Sequence, residues 1–277
     1  MIVGVAGVFG LCLIIFGISN ESRLWASMPL TYFCVISIFV LQWIAFVPAY
    51  LARSEKFYDL VGSATYIIVG VLALWLAQRL DPRSVLVTSF VIIWAFRLGW
   101  FLTSRVNKSG GDSRFDRIKH KPFEFFLVWT MQGVWVLVCM SPVLAIISST
   151  NEIKVSYSDI PAVITVVVGF LVEVIADYQK RIHRIQYGAE VFITSGLWRF
   201  SRHPNYFGEI CFWFGITIIA LPVLNGFSYV TLVTPIFVYF LLTRISGTVL
   251  LEDSGLKKWG DDPRYREYIA KTPLLWP

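Results

Sequence analysis

The sequence predicts an all-α, polytopic transmembrane helix bundle of seven or eight spans, and three observations carry that prediction. Of 277 residues, 56% are hydrophobic and 15% charged, with a mean hydropathy of +0.66. That leaves too little polar surface to cover a soluble globule of this size. Apolar runs of spanning length recur along the chain, separated by short polar segments. The net charge of +6 is gathered into alternate loops, the signature of membrane orientation, so a nucleic-acid partner is not expected.

The first run, 2–19, begins MIVGVAGVFG with no Lys or Arg before it and no small-residue cleavage site, so it reads as a retained helix and not as a removed signal peptide. Further runs lie at 29–52, 60–78, 85–103, 123–149, 160–176, 209–224 and 227–250. The fifth carries Pro142, and the short sixth passes directly into polar helix. Arg53, Lys56, Arg105, Lys108, Arg114, Arg117, Lys119, Lys121, Lys180, Arg181, Arg184, Arg199 and Arg202 fall on one side of an eight-span arrangement, joined by the tail residues Lys257, Lys258, Arg264, Arg266 and Lys271. The other side holds Arg23, Arg79, Arg83 and Lys154, while Arg97 and Arg244 lie within apolar runs. Both termini and the 177–208 segment are therefore expected in the cytoplasm. The chain reads as one integral-membrane domain, 1–277, without internal repeats. Cys12, Cys34, Cys139 and Cys211 each sit inside an apolar run, and the three histidines share no ligand spacing with them, so neither a disulfide nor a metal site is expected.

Two polar stretches stand where charge is costly. Gly196 to Glu209 reads GLWRFSRHPNYFGE and places Trp198, Arg199, Arg202, His203, Asn205, Tyr206 and Glu209 at the membrane boundary. Pro204 suits a first helical turn, so a helix should begin near it, with Asn205 and Glu209 on one face. A helix N-terminus flanked by basic residues is an anion site in waiting. The second stretch, EVIADYQKRIHR, spaces Glu173, Asp177, Lys180 and Arg184 by four, three and four, one stripe on a helix leaving the membrane. A self-paired helix end with basic groups complementing its dipole would carry the same residues. Both readings stand on the residues alone.

The order ADYQKxxxR, SGLWRxxRHPNYxGE, an apolar span and a basic tail ending TPLLWP resembles the carboxy-terminal half of the steroid 5-alpha-reductase superfamily, most closely its bacterial integral-membrane members. Sterol C14 and delta-7 reductases resemble it more distantly. The likeness covers 165–277 well and the amino-terminal half weakly. It implies NADPH bound in a cavity on the cytoplasmic side of the bundle, with 165–277 the cofactor-binding half and 1–150 the substrate-side helices. It implies cofactor contacts from Asp177, Lys180, Arg184, Trp198, Arg202, His203, Asn205, Tyr206 and Glu209, and a third set in Arg244 and Glu252. The chemistry agrees: a pyrophosphate and a 2′-phosphate call for Arg and Lys, and Asn and Glu can hold the nicotinamide amide and ribose hydroxyls. No G-x-G-x-x-G in a βαβ setting offers a soluble dinucleotide fold instead.

Some of that pattern is missing. The superfamily's steroid reductases place a Gln-Glu pair near the second span and a Tyr on a later one. Here Trp94 stands where aligning Arg97 would put the Tyr, and no Gln-Glu pair occurs in 40–60. Glu55, Asp59 and Tyr206 are the candidate proton donors, burial being able to raise a carboxyl into a useful range. Asp59 would serve equally as a cap of the third helix. Arg97 is a candidate cofactor contact, or else a snorkelling or paired residue. His120 is expected to be solvated and His183 to mark a helix boundary. The Gly110–Gly111 pair could hinge a loop over the cofactor, or simply turn the chain.

The expected function is an NADPH-dependent membrane reductase that transfers hydride to an activated C=C bond of an apolar steroid-, sterol- or lipid-like substrate entering from the bilayer. The protein is expected to be a monomer among membrane lipids, in a bacterial inner membrane or an endoplasmic-reticulum-type membrane. The alternative is an S-adenosylmethionine-dependent methyltransferase of the isoprenylcysteine carboxyl type, which the RHPxYxG stretch and the acidic exit at Glu252 and Asp253 also resemble. A catalytically silent scaffold is the third reading and predicts no cofactor.

Overall fold

A computed structural model describes residues 2–20, 22–78, 80–109, 111–112, 115–151, 153–188 and 190–275. The helices are α1 (Ile2–Asn20), α2 (Leu30–Leu51), α3 (Tyr58–Ala77), α4 (Pro82–Ser109), α5 (Pro122–Ser148), α6 (Ile160–Tyr187), α7 (Pro204–Ala220), α8 (Val233–Phe240), α9 (Thr248–Trp259) and α10 (Pro263–Lys271). Between α1 and α2 a tight hairpin pairs β1 (Leu24–Trp25) with β2 (Met28–Pro29). Among the described residues seven helical segments are long and apolar enough to cross a membrane, and Phe9–Asn20 is a shorter apolar helix. The all-α polytopic class holds.

The last span departs from the single helix expected over 227–250. A 3-10 stretch, Gly226–Leu232, leads into α8, which loosens into a π turn at Leu241–Ile245 and breaks before α9. The break requires glycine at 247, because a Cβ there would stand 2.1 Å from the Leu242 carbonyl oxygen. The carbonyls loosened by the break are taken up locally: Ser246 donates its N–H to Leu241 at 3.0 Å, and the Thr248 hydroxyl donates to the Thr243 carbonyl at 3.1 Å. Such a turn in an otherwise regular helix is a common mark of a functional region.

The chain forms two compact units. The first comprises Met1–Ser156 with Ile219–Val233, the second Tyr157–Ile218 with Thr234–Pro277. In the first unit α5 is the central helix, every residue from Val136 to Ser148 being buried. Near its N-terminal end an aromatic cluster joins Phe125 and Trp129 to Phe115, packed by Tyr58 and Phe46. Arg83, only 2% exposed, is held by carbonyls: Nε donates to Ile153, Nη1 to Ile219 and Nη2 to Lys154, at 3.2, 2.7 and 3.1 Å. A buried guanidinium is tolerable because its fork is filled.

In the second unit α6 and α7 touch backbone to backbone. A Cβ on Gly169 would lie 2.7 Å from the Gly208 carbonyl, one on Gly208 2.6 Å from the Glu173 nitrogen, and one on Gly215 2.8 Å from the Val166 nitrogen. Glycines at these positions let two membrane helices approach without a side chain between them. The same face of α6 carries Ala162, Val166, Glu173, Ala176 and Asp177, all buried. Close packing thus runs up to the polar end of α6.

Candidate functional site

The polar stripe on α6 is real, and it emerges from the core gradually: Glu173 and Asp177 are buried, Lys180 is half-buried and Arg184 is exposed. The chain after α6 is fastened back onto it. Gly196, at φ 64, occupies a left-handed position over the Gln179 side chain, whose carbonyl accepts the Leu197 N–H at 2.9 Å. Trp198 is buried; its indole N–H donates to the Ala176 carbonyl at 3.0 Å, and the Lys180 ammonium lies 4.6 Å from its ring centre. The ring fixes the lysine by cation–π attraction and leaves its charge near the outer surface of the cluster.

α7 begins at Pro204, where the residue's missing N–H costs nothing. The side-chain amide of Asn205 donates to Asp177 at 3.1 Å, joining the start of α7 to the stripe on α6. Glu209 is buried one turn further along. Several of the backbone amides around this helix start already have partners. Arg202 N–H donates to Pro273, His203 N–H to the Ser201 hydroxyl, and the amides of Tyr206 and Phe207 to the His203 carbonyl.

The side chains of Arg202 and His203 are organised by Glu252 on α9. One oxygen pairs with Arg202 Nη1, and the other accepts from His203 Nε2 at 2.7 Å. The His203 ring lies parallel to Tyr206, their planes 11° apart. Burial lowers the His203 pKa below its ordinary value, an effect that the hydrogen bond to Glu252 opposes. Burial thus favours the neutral imidazole, and the Glu252 carboxylate beside Nε2 favours the proton on that nitrogen. Three polar atoms of adjacent residues are buried without a hydrogen-bond partner: Arg202 Nε, His203 Nδ1 and Asn205 Oδ1. Gly247, at the break before α9, also meets Tyr206 closely, a Cβ there lying 2.9 Å from its ring.

A family model for a protein of unknown function, DUF1295, matches residues 45–272. The chain belongs to that family. The DUF1295 match runs from within α2 to the end of α10 and takes in every candidate site residue named from the sequence. No curated protein and no solved structure matches the chain.

In the structure of this DUF1295 member Glu252 gathers Arg202 and His203, with Tyr206 stacked on His203, while Asn205 pairs with Asp177 and Lys180 with Trp198. Arg184 and Arg244 are exposed. The remaining candidates lie in the first unit. Glu55 is 5% exposed and has both oxygens engaged, one accepting the Asp112 N–H at 2.9 Å and the other facing Lys119 at 3.4 Å. Asp59 stands in the first turn of α3, whose N-cap position is Phe57. The Arg97 guanidinium lies 5.2 Å from the Phe101 ring centre. Of the Gly110–Gly111 pair, Gly110 lies outside the described residues. No group of three or more potential metal ligands occurs among the described residues.

Sequence reasoning missed the clasp that closes the set. The Tyr268 hydroxyl donates to the Trp198 carbonyl at 2.7 Å, and the Trp259 indole donates to the Glu190 carbonyl at 2.6 Å. Burial raises the pKa of both Tyr265 and Tyr268, so each stays a neutral phenol. The pairing of TPLLWP with RHPN in the motif order was the available signal, since Pro273 is the residue that receives the Arg202 amide.

Proposed function

We propose that this protein is an NADPH-dependent membrane reductase that delivers hydride to an activated C=C bond of an apolar substrate drawn from the bilayer. The single observation that carries the reading is the set built on Glu252: one carboxylate presents Arg202 and His203 together, beside Asn205, Lys180 and Trp198. Buried Arg202 Nε, His203 Nδ1 and Asn205 Oδ1 lack partners, and native proteins rarely leave such atoms unmet. A polar ligand with both donors and acceptors fits them, as NADPH does. The likeness of the same segments to the steroid 5-alpha-reductase superfamily supports this choice, as does the positive-inside placement of the site in the cytoplasm.

Bound NADPH would supply the hydride, and the proton for the second carbon would come from an acid of the chain or from water. Lys180, Arg181 and Arg184 would draw its phosphates to the exposed end of α6. Asn205 and His203 would fix an uncharged part of it, and the tight α6–α7 contact would hold these groups in place. The gaps left by the superfamily's Gln-Glu pair and Tyr weigh against a 3-oxosteroid and leave the wider class of apolar enones and lipids.

One observation favours the methyltransferase reading instead. Glu252 already neutralises Arg202 and Lys180 rests on Trp198, so part of the positive charge is committed within the protein, as a phosphate-free ligand such as S-adenosylmethionine would allow. The deciding experiment is binding of NADPH, NADH and S-adenosylmethionine to detergent-purified protein, with an Arg202→Ala, Asn205→Ala double variant as control. NADPH binding lost in the variant supports the reductase. Binding of S-adenosylmethionine alone overturns it, and binding of none leaves a scaffold.

A further inference from the structure

The unpartnered atoms around Glu252 can be assigned hydrogen-bonding roles one by one. Arg202 Nη1 is spent on Glu252, so the buried Nε–H on its other edge is a donor. His203 Nε2 lies 2.7 Å from a carboxylate oxygen and must carry the proton, which leaves Nδ1 as a lone-pair acceptor in a side chain only 4% exposed. Asn205 turns its NH₂ to the Asp177 carboxylate, which can only accept, so Oδ1 faces away as a second acceptor. These three near neighbours in the chain therefore offer one donor and two acceptors. A phosphate offers acceptors alone. It would confront His203 Nδ1 and Asn205 Oδ1 unfavourably, and the Arg202 charge that might compensate is offset by Glu252.

We propose that Arg202 Nε, His203 Nδ1 and Asn205 Oδ1 form a subsite for an uncharged amide-type edge, one acceptor next to an NH₂ group, and that phosphates bind elsewhere. The inference rests on the dinucleotide reading above and deepens it. A nicotinamide dinucleotide presents this chemistry twice, in the nicotinamide carboxamide and in the N1 and 6-NH₂ edge of adenine. In either case the ligand's acceptor meets Arg202 Nε–H, and its N–H groups meet His203 and Asn205. The low proton affinity of buried His203 keeps the lone pair available at neutral pH.

The test is calorimetric titration of the full-length protein in detergent with three ligands in one redox state. These are NADP⁺, its 3-acetylpyridine analogue, in which the carboxamide NH₂ becomes CH₃, and its hypoxanthine analogue, in which the adenine 6-NH₂ becomes an oxo group. One analogue should bind more weakly by about tenfold or more, since its loss leaves buried acceptors unmet. The analogue that weakens identifies the source of the edge. His203→Leu should erase the difference, and His203→Gln, which restores an acceptor, should recover part of it. The comparison of analogues on the unmodified protein needs neither variant to fold.

Proton linkage gives a second readout. The charged and titratable groups facing His203 are Glu252 from α9, Lys180 from α6, Tyr206 from α7 and Arg202 beside it. With an amide edge bound, NADP⁺ affinity should fall as pH drops below 6.5 through the lowered His203 value, because protonation removes the lone pair. Affinity that rises on acidification in the unmodified protein, and not in His203→Gln, would mean a phosphate sits there and would overturn the subsite. Equal binding of all three dinucleotides also overturns it while the reductase reading survives. Failure of every dinucleotide to bind removes the reading itself, and this inference with it.

Discussion

Replacing Gly208 by Ala tests whether the α6–α7 contact sets the site. In an isolated helix the change would stabilise, since Ala is favoured over Gly by about 1 kcal/mol in a helix interior. Here the new methyl carbon would stand 2.6 Å from both the Glu173 nitrogen and the Gly169 carbonyl oxygen, where ordinary contact begins at 3.4 Å. The helices must part by about 0.8 Å, and because both obstacles are backbone, no side chain can turn away. Overpacking of this kind costs about 1–3 kcal/mol, and the absence of any yielding side chain places this site at the upper end. The net loss after the propensity gain is about 2 kcal/mol. For a chain of this size that corresponds to a midpoint lowered by roughly 4–8 °C, read by tryptophan fluorescence on heating in detergent. Gly10→Ala is the control, because nothing lies within 4 Å of a Cβ there, and its midpoint should hold or rise. A Gly208→Ala protein as stable as the unmodified one would refute the backbone contact, and with it the account of how Asp177 comes to face Asn205.

Arg83→Met should lower stability by about 3 kcal/mol or more, because it strips donors from the buried carbonyls of Ile153, Lys154 and Ile219; chemical denaturation in detergent reads it, and an unchanged midpoint would contradict the assignment. Glu55→Gln should leave the fold intact but speed tryptic cleavage at Lys119 by about twofold to fivefold, since an ion pair of this kind contributes no more than about 1 kcal/mol. Acid should weaken the second unit through His203. Its pKa is lower folded than unfolded, so the unfolded chain takes the proton first, and its contribution is full above pH 6.5 and is lost as pH falls through the folded value. His203→Gln should flatten that part of the stability profile below pH 6.5.

The apolar runs were legible because membrane spans are dictated by local composition, and the helix starting at Pro204 because Pro constrains its own turn. The stripe on α6 followed from spacing alone, and the structure keeps Glu173, Asp177, Lys180 and Arg184 on one continuous helix. The break in the last span was not legible. TRISGTV contains a single Gly among residues that can all continue a helix, and the need for glycine, a Cβ there falling 2.1 Å from the Leu242 carbonyl oxygen, appears only once the turn has formed.

What the sequence concealed most is that Arg202 is already spoken for. Read along the chain it is a basic residue beside a helix start, and an anion is the natural guess. Glu252 lies fifty residues away, beyond a whole span and a broken helix, and nothing local announces that its two oxygens divide between Arg202 and His203. That division changes the chemistry. A free arginine and a free histidine would make a cationic pocket, whereas this pair under one carboxylate is close to neutral and presents a donor and a lone pair. Residue types at a motif therefore report which ligand class to consider, while the pairing of those residues across the fold decides which part of the ligand they can touch.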